Sequence, residues 1–386
     1  MIIKPADRTS CVKEYYFSVK NRQIARMNAD GRSEPVINLG IGSPDGRPPQ
    51  EAIDELCLQA QKDGVHKYQS YNGIPELRRA FAGWYSRWYG VKLDPETEIQ
   101  PLAGSKEGIL IISLAFLNEG DKVLVPDPGY PTYSSAARLC GAEIVNYDLV
   151  DENGFRPDFA KLEAMDLEGV KIMWTNYPGM PTGAPASMEL YRSLVDFGRR
   201  HGIMICNDNP YSFILNETPC SILAAPGARE VALELNSLSK AHNMSGWRVG
   251  MVAASPDVIS QILKVKSQMD SGMFRPLQLA AAEALSQGDG WFAALNGEYR
   301  RRRVVACRIM DVLGAKYNPD SQGLFVWGKV PFDPVEMSDR LLRNAGVFIT
   351  PGFIFGHNGE HYMRISLCQS VPVLERALEK IKEELA

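Results

Sequence analysis

Asn236-Ser237-Leu238-Ser239-Lys240-Ala241-His242-Asn243-Met244-Ser245-Gly246-Trp247-Arg248-Val249-Gly250 is the stretch that decides the fold. It follows a strand-like apolar run and presents one lysine, Lys240, with Arg248 eight residues later. A lysine in such a setting can be desolvated, which lowers the pKa of its amine and makes it nucleophilic toward a carbonyl. Ser237, Ser239 and Arg248 would together bind an anion. The stretch thus suggests an aldehyde-reactive amine beside a phosphate site, with an ordinary surface loop as the alternative.

The bulk composition is that of a globular protein. The chain has 386 residues, of which 45% are hydrophobic and 23% charged, so two domains are the default expectation. The formal net charge is -4 and the pI is about 5.9. This charge gives no reason to expect nucleic acid or an anionic membrane as a partner.

Cysteine and histidine usage bears on location and metal content. The seven cysteines are an odd number without a C-x-x-C pair, which favours reduced thiols in a cytoplasmic enzyme over a disulfide framework. The five histidines are scattered, so we expect no metal centre. No apolar run is long enough to span a bilayer, so no membrane association is expected.

Apolar strands alternate with amphipathic helices over most of the chain. This alternation predicts an α/β fold with a mostly parallel sheet covered by helices on both faces. The predicted strands are 99–103, 122–126, 143–147, 170–175, 203–207, 231–235 and 248–253. Ligands of such sheets collect at the carboxyl ends of strands. Gly104, Asp127, Asn176, Asp208 and Lys240 each follow a predicted strand, so we expect them to form a single site.

The pattern changes after residue 313 to a smaller α+β arrangement, with strands at 324–330 and 362–366. We therefore predict an N-terminal arm that belongs to the small domain (1–48), a large domain (49–285) and a small C-terminal domain (286–386). Four consecutive arginines, 300–303, lie on a long predicted helix. An anion site is one interpretation of this run, but the overall acidity favours a solvated helix face.

Several short motifs recur in a characteristic order. They are G-S-K-E-G at 104–108, D-P-G-Y-P at 127–131, P-T-G at 181–183, D-N-P-Y at 208–211 and the stretch quoted first. Together they resemble the class I/II aminotransferases of pyridoxal 5′-phosphate (PLP) fold type I, the aspartate aminotransferase-like group. The resemblance covers residues 37 to about 370 and is nearest to the LL-diaminopimelate aminotransferase branch.

The resemblance implies a role for each motif residue in holding the cofactor. Lys240 would form the internal aldimine and shuttle a proton, Asp208 would pair with the pyridine nitrogen, and Tyr211 would bind O3′. Other implied cofactor-binding residues are Gly104, Ser105, Lys106, Tyr130, Asn176, Ser237, Ser239, Arg248 and Tyr68. Tyr68 would reach the phosphate of a neighbouring subunit, which implies a homodimer.

The resemblance also implies a substrate site and a reaction. Gly42, Tyr130 and Arg364 would receive the substrate, with Arg364 on its α-carboxylate. An interdomain salt bridge is the alternative for Arg364. The implied activity is transfer of an α-amino group from an L-amino acid to a 2-oxo acid by a ping-pong route. A PLP-dependent β-lyase acting on sulfur amino acids is the alternative.

Two departures from the family pattern concern specificity. Met180 stands where the family has an asparagine that donates to O3′, and methionine cannot donate that bond. Either Tyr211 alone binds O3′, or Asn176 reaches in from its strand. Asp270 stands near the place of the arginine that binds a distal carboxylate in aspartate-specific members. This favours a side chain with a distal amine or a neutral one, although Arg275 could still serve a carboxylate.

Overall fold

The structure, a computed structural model, describes residues 2–386. Its strands are β1 (Ile37–Asn38), β2 (Ile99–Leu102), β3 (Lys122–Asp127), β4 (Glu143–Asp148), β5 (Val170–Thr175), β6 (Met204–Asp208), β7 (Ala232–Ser237), β8 (Gly250–Ala253), β9 (Lys316–Tyr317), β10 (Phe325–Lys329), β11 (Val347–Phe348), β12 (Thr350–Pro351) and β13 (Tyr362–Ser366). Its α-helices are α1 (Tyr16–Ala29), α2 (Gln50–Ala60), α3 (Pro75–Tyr89), α4 (Ser105–Phe116), α5 (Pro131–Leu139), α6 (Phe159–Glu163), α7 (Met188–His201), α8 (Ala228–Val231), α9 (Leu238–Ala241), α10 (Pro256–Lys266), α11 (Arg275–Ala284), α12 (Asp289–Val312), α13 (Pro334–Arg340) and α14 (Val371–Leu385).

Within residues 2–386, the largest sheet has seven strands in the order β2-β8-β7-β6-β5-β3-β4. Strands β3 to β7 run parallel to one another, whereas β8 is antiparallel to both β7 and β2. The predicted mostly parallel sheet is therefore confirmed. Because parallel strands share one carboxyl edge, the loops that follow β3, β5, β6 and β7 meet on one side of the molecule.

Helices cover both faces of this sheet, because its strands carry apolar side chains on both faces. Alternate residues of β5 point to opposite faces, so that Ile172 and Trp174 belong to one hydrophobic cluster and Met173 to the other. All three are fully buried. A sheet with two buried faces needs near-continuous apolar strands, and this explains why these segments read as unbroken hydrophobic runs.

Local sequence fixes the ends of the covering helices. Helix α7 begins after Ser187, whose Oγ accepts a hydrogen bond from Leu190 N at 3.1 Å, and it ends at Gly202 in the left-handed conformation. Arg199, Arg200 and His201 lie in its last turn, where the helix dipole favours cations. These signals place α7 between β5 and β6 as the crossover that keeps the two strands parallel.

The C-terminal part of the chain forms a second sheet, in the order β12-β13-β10-β9. Strand β1, near the N-terminus, pairs in parallel with β11, with Ile37 opposite Val347. The boundaries 1–48, 49–285 and 286–386 remain a prediction. No helix among residues 2–386 has both the length and the apolar character needed to cross a membrane.

Candidate active site

A cavity of about 650 Å3 opens at the carboxyl edge of the seven-stranded sheet. It brings together most of the residues that the motifs singled out: Gly42, Ser105, Lys106, Tyr130, Asn176, Asp208, Tyr211, Ser237, Ser239, Lys240, Arg248 and Arg364. Gly104, which directly precedes Ser105, does not itself line the cavity. Tyr68 does not line it and is 88% exposed. Residues from distant parts of the sequence thus converge on one chamber.

One end of the cavity is built to hold an anion. Ser105 is the first residue of α4, so the free N–H groups and the dipole of this helix point into the chamber. Gly104 precedes it with φ +85°, and a Cβ there would lie 2.2 Å from Arg248 Nη2. Only glycine lets the guanidinium approach the helix terminus this closely.

Arg248, in the turn that precedes β8, completes this anion site. Its backbone adopts φ +57°, a left-handed conformation that is strained for arginine. Its guanidinium donates to Ser245 O at 2.8 Å and reaches Ser239 Oγ at 3.5 Å. Ser237 Oγ in turn donates to Ser239 Oγ at 2.8 Å. The cluster offers a positive charge, hydroxyl groups and backbone N–H groups, which is what a phosphate monoester requires.

Lys240 projects into the centre of the cavity from α9. Its amine donates to Gly42 O at 2.5 Å. Desolvation lowers the pKa of the Lys240 amine, and the positive charges of Arg364 and Arg248 act in the same direction. A larger fraction of the amine is therefore uncharged and nucleophilic than for an exposed lysine.

Asp208 lies at the end of β6 and is 5% exposed. Its Oδ2 accepts a hydrogen bond from Tyr133 OH at 3.1 Å, whereas its Oδ1 has no partner among residues 2–386. Burial raises the pKa of Asp208 to about 7, although Tyr133 and the charge of Lys240 oppose this shift. A buried carboxylate oxygen without a donor fits a ligand that brings a cationic N–H group.

Arg364, on β13, is buried among aromatic rings. Its guanidinium carbon lies 3.9 Å from the ring centre of Phe325 and 4.6 Å from that of Phe355. Nη2 donates to Gly40 O at 2.6 Å, and Nε has no partner in the part of the chain that the structure describes. No carboxylate of that part forms a salt bridge with Arg364, so the interdomain ion pair is not found. A buried guanidinium that has no ion-pair partner is suited to bind the carboxylate of a substrate.

Met180 and Asn176 occupy the wall next to Arg364. Met180 Sδ accepts a hydrogen bond from Arg364 Nη1 at 3.2 Å. The side chain of Asn176 is engaged at both ends, since Nδ2 donates to Asp208 O at 2.5 Å and Oδ1 accepts from Met180 N at 2.7 Å. These contacts favour Tyr211 over Asn176 as the donor to a ligand oxygen at this place.

Five aromatic residues that line the cavity were not among the predicted site residues: Tyr15, Phe17, Tyr133, Phe325 and Phe355. Tyr133 lies three residues after Tyr130 on α5, and this helical spacing could have indicated that both face the cavity. Tyr15 and Phe17 enter from the N-terminal arm, where no local pattern indicates a contact with a cavity whose other residues are spread from Ile41 to Arg364. The Lys106 ammonium lies 4.4 Å from the ring centre of Tyr15.

Three other residues discussed above lie outside the cavity. Asp127 follows β3 as expected, but its carboxylate accepts hydrogen bonds from the backbone N–H groups of His357 and Asn358 at 3.0 and 2.9 Å. The expectation that Asp127 joins the site is therefore wrong. Asp270 pairs with Lys266, and Arg275 with Glu76. Neither Asp270 nor Arg275 is directed at the cavity of its own chain.

Comparison with known proteins adds independent observations. The family model for aminotransferase class I and II matches residues 34–381. An LL-diaminopimelate aminotransferase from Dehalococcoides mccartyi is 38% identical over 383 residues, which are 98% of this chain and 98% of the relative. One from Aquifex aeolicus is 38% identical over 381 residues, with 98% of each chain covered.

Solved structures show the same likeness. The substrate-bound structure of BacF from Bacillus subtilis superposes with a TM-score of 0.93 at 34% identity and covers 99% of this chain and 98% of BacF. A Thermus thermophilus aspartate aminotransferase mutant superposes with a TM-score of 0.91 at 27% identity, over 99% of this chain and 100% of the mutant. These comparisons support the transferase over the β-lyase alternative. The chain belongs to the class I and II aminotransferases and is a PLP-dependent aminotransferase of fold type I.

Proposed function

We propose that this cavity is the transamination site, with Lys240 as the attachment point of PLP. The observation that carries the proposal is the convergence of three groups on one chamber: a desolvated amine on Lys240, an unpartnered oxygen on Asp208 and a buried guanidinium on Arg364. The residues present fit the cofactor. The anion site of Ser105, Ser239 and Arg248 suits its phosphate, and Asp208 Oδ1 suits its protonated ring nitrogen.

PLP, when bound, supplies an electron sink for the negative charge that develops on the substrate Cα. The protein residues have separate tasks in the proposed mechanism. Arg364 binds the α-carboxylate and thereby orients the Cα–H bond. The Lys240 amine takes the proton from Cα as a general base and returns it as a general acid. Asp208 holds a proton on the ring nitrogen, because burial makes its ionised form costly unless a cationic partner is present.

We propose further that the amino donor carries a polar group at the distal end of its side chain, as LL-diaminopimelate does. The curated relatives cited above are named for that substrate. Helix α1 supports the proposal, because Ser18, Asn21 and Arg22 make one wall of the cavity polar. Arg22 Nη2 donates to Glu14 Oε2 at 2.7 Å, so the positive charge on this wall is paired with a carboxylate that does not itself line the cavity.

A panel of amino donors with 2-oxoglutarate as acceptor tests this substrate class. LL-diaminopimelate, lysine, 2-aminopimelate, norleucine and aspartate differ in their distal groups, and the glutamate formed measures transfer. We expect LL-diaminopimelate to be used with a kcat/KM at least about tenfold above that of norleucine, since a site with polar groups discriminates against an analogue that leaves them unpaired. A preference for norleucine, whose side chain has no distal polar group, would contradict the proposed class.

We also propose that the chain acts as a homodimer in the cytoplasm. Tyr68 is exposed on the surface of the single chain, and Tyr71, Met269 and Phe274 are 46%, 47% and 42% exposed. Large apolar side chains that are exposed together support a protein interface. The cytoplasmic location rests on the cysteine usage of the sequence alone.

A further inference from the structure

An ion pair joins helix α12 to the loop of residues 39–47, which we call the active-site loop; its Arg302 side chain is buried, whereas its Asp45 side chain is 37% exposed. Arg302 donates to both carboxylate oxygens of Asp45, at 2.6 Å from Nη1 to Oδ1 and 3.3 Å from Nη2 to Oδ2. Its Nε donates to Glu298 Oε1 at 2.9 Å, and Nη1 also donates to Leu367 O at 3.1 Å. The Arg302 side chain is only 8% exposed, and each of its three nitrogens donates a hydrogen bond. Arg302 is therefore held in one position.

Arg302 differs from the other members of the arginine run 300–303. The expectation of a solvated helix face describes Arg300 and Arg301, whose side chains are 51% and 67% exposed. It is wrong for Arg302, because consecutive residues of a helix point about 100° apart and one of four must face inward. Arg301 shares Glu298 with Arg302, since it donates to Glu298 Oε2, and it therefore provides a control on the same turn of α12 for loss of a positive charge beside Glu298.

The active-site loop holds the two cationic groups of the proposed mechanism through its backbone. Gly42 O accepts from the Lys240 amine at 2.5 Å, and Gly40 O accepts from Arg364 Nη2 at 2.6 Å. The loop is pressed against the site, since a Cβ on Gly42 would lie 2.3 Å from the Phe325 ring. A small displacement of this loop would therefore move both cations.

The loop is fastened at both ends, by bonds of different strength. Near its start, Ser366 N donates to Leu39 O at 2.7 Å. Near its end, Asn243 Nδ2 donates to Arg47 O at 3.1 Å, and the ion pair between Asp45 and Arg302 lies beside this bond. A charge-assisted contact made by two nitrogens of a buried guanidinium is stronger than a neutral hydrogen bond, so the ion pair is the principal anchor of this end.

We propose that Arg302 and Asp45 are positioning residues for transamination. They hold the active-site loop so that Gly40 O and Gly42 O keep Arg364 and Lys240 aligned for the substrate carboxylate and Cα. Neither residue lines the main cavity, and both border a smaller one of about 250 Å3. The inference rests on the proposed roles of Lys240 and Arg364, and it does not depend on which amino acid is the donor.

Steady-state kinetics of four variants of the PLP-loaded enzyme test this inference. Asp45→Asn keeps the shape of the side chain and removes its charge, and Arg302→Met removes the guanidinium. Arg302→Lys restores the positive charge without the two-nitrogen contact of a guanidinium, and Arg301→Gln is the control. The most active donor of the panel described above serves as donor and 2-oxoglutarate as acceptor. The dissociation constant of PLP and the thermal midpoint are measured for each variant.

We expect the KM values of donor and acceptor to rise together, by about tenfold or more in Asp45→Asn and Arg302→Met, because both substrates bring a carboxylate to Arg364. Arg302→Lys should recover part of this loss, and Arg301→Gln should match the wild type. The dissociation constant of PLP should change less than about threefold in all four.

The inference would be overturned if the KM values of Asp45→Asn lay within about twofold of the wild-type values. Because Asp45→Asn is isosteric, its result settles the test even when Arg302→Met does not fold. The inference would also be overturned if every variant, including Arg301→Gln, showed raised KM values together with weaker PLP binding. If Lys240 does not have its proposed role, the cofactor absorbance of the wild-type enzyme already shows this. Such a failure is therefore distinguishable from an effect that is confined to the variants.

Discussion

At the scale of single residues, Asp208 shows how burial and function oppose each other. Burial raises its pKa to about 7, and one of its oxygens has no partner in the described chain. The unfolded chain titrates this carboxyl near a pKa of about 4. Between these two values the cofactor-free native protein binds more protons than the unfolded chain, so Asp208 makes its stability fall as the pH rises from about 4 to about 7.

Replacing Asp208 by Asn should remove this pH dependence. A pKa difference of roughly 3 units corresponds to about 4 kcal/mol, as an order of magnitude. We expect cofactor-free wild type to lose thermal stability relative to cofactor-free Asp208→Asn between pH 5 and pH 8, as followed by circular dichroism. Parallel pH profiles of the two proteins would show that Asp208 is not held in its protonated form.

At the scale of secondary-structure elements, the parallel strands were predictable because each is a short apolar run that a helix separates from the next. Strand β8 was less predictable. The predicted strand 248–253 begins only at Gly250, because Arg248 takes a left-handed conformation that directs its guanidinium to the anion site. Neither this turn nor the antiparallel direction of β8 leaves a periodic signal in the sequence.

The active-site residues that follow strands were predictable by the same rule. It brought Asn176, Asp208 and Lys240 to one cavity, but it placed Asp127 there as well, because the sequence does not show that the backbone of 357–358 already satisfies that carboxylate. Residues of α1 could not be found this way. Phe17 packs against Arg364 across more than 300 positions, at 5.5 Å from ring centre to guanidinium, and only the fold brings them together.

At the scale of the whole molecule, the proposed homodimer makes a prediction about shared sites. If Tyr68 serves the neighbouring subunit, a mixed dimer of a Tyr68→Ala chain and a Lys240→Ala chain contains one intact site and one doubly defective site. We expect Tyr68→Ala alone to weaken PLP binding by about tenfold or more, since it removes a hydrogen bond to a charged group. The mixed dimer should regain about half of the wild-type activity.

Two differently tagged chains, co-expressed and purified through both tags, provide the mixed dimer, and sedimentation provides its mass. Activity no greater than the sum of the two variant homodimers would mean that Tyr68 serves its own subunit or none. A monomer of 42.8 kDa that retains full activity would contradict the shared site altogether.

The central claim is that Lys240 carries the cofactor, and borohydride reduction of the PLP-loaded wild type followed by peptide mass spectrometry tests it most directly. Reduction converts the imine bond between PLP and its lysine into a stable secondary amine. We predict the added mass on the peptide that contains Lys240, and no such adduct in Lys240→Ala. An adduct on another lysine, such as Lys106 in the cavity or the buried Lys266, would contradict the account.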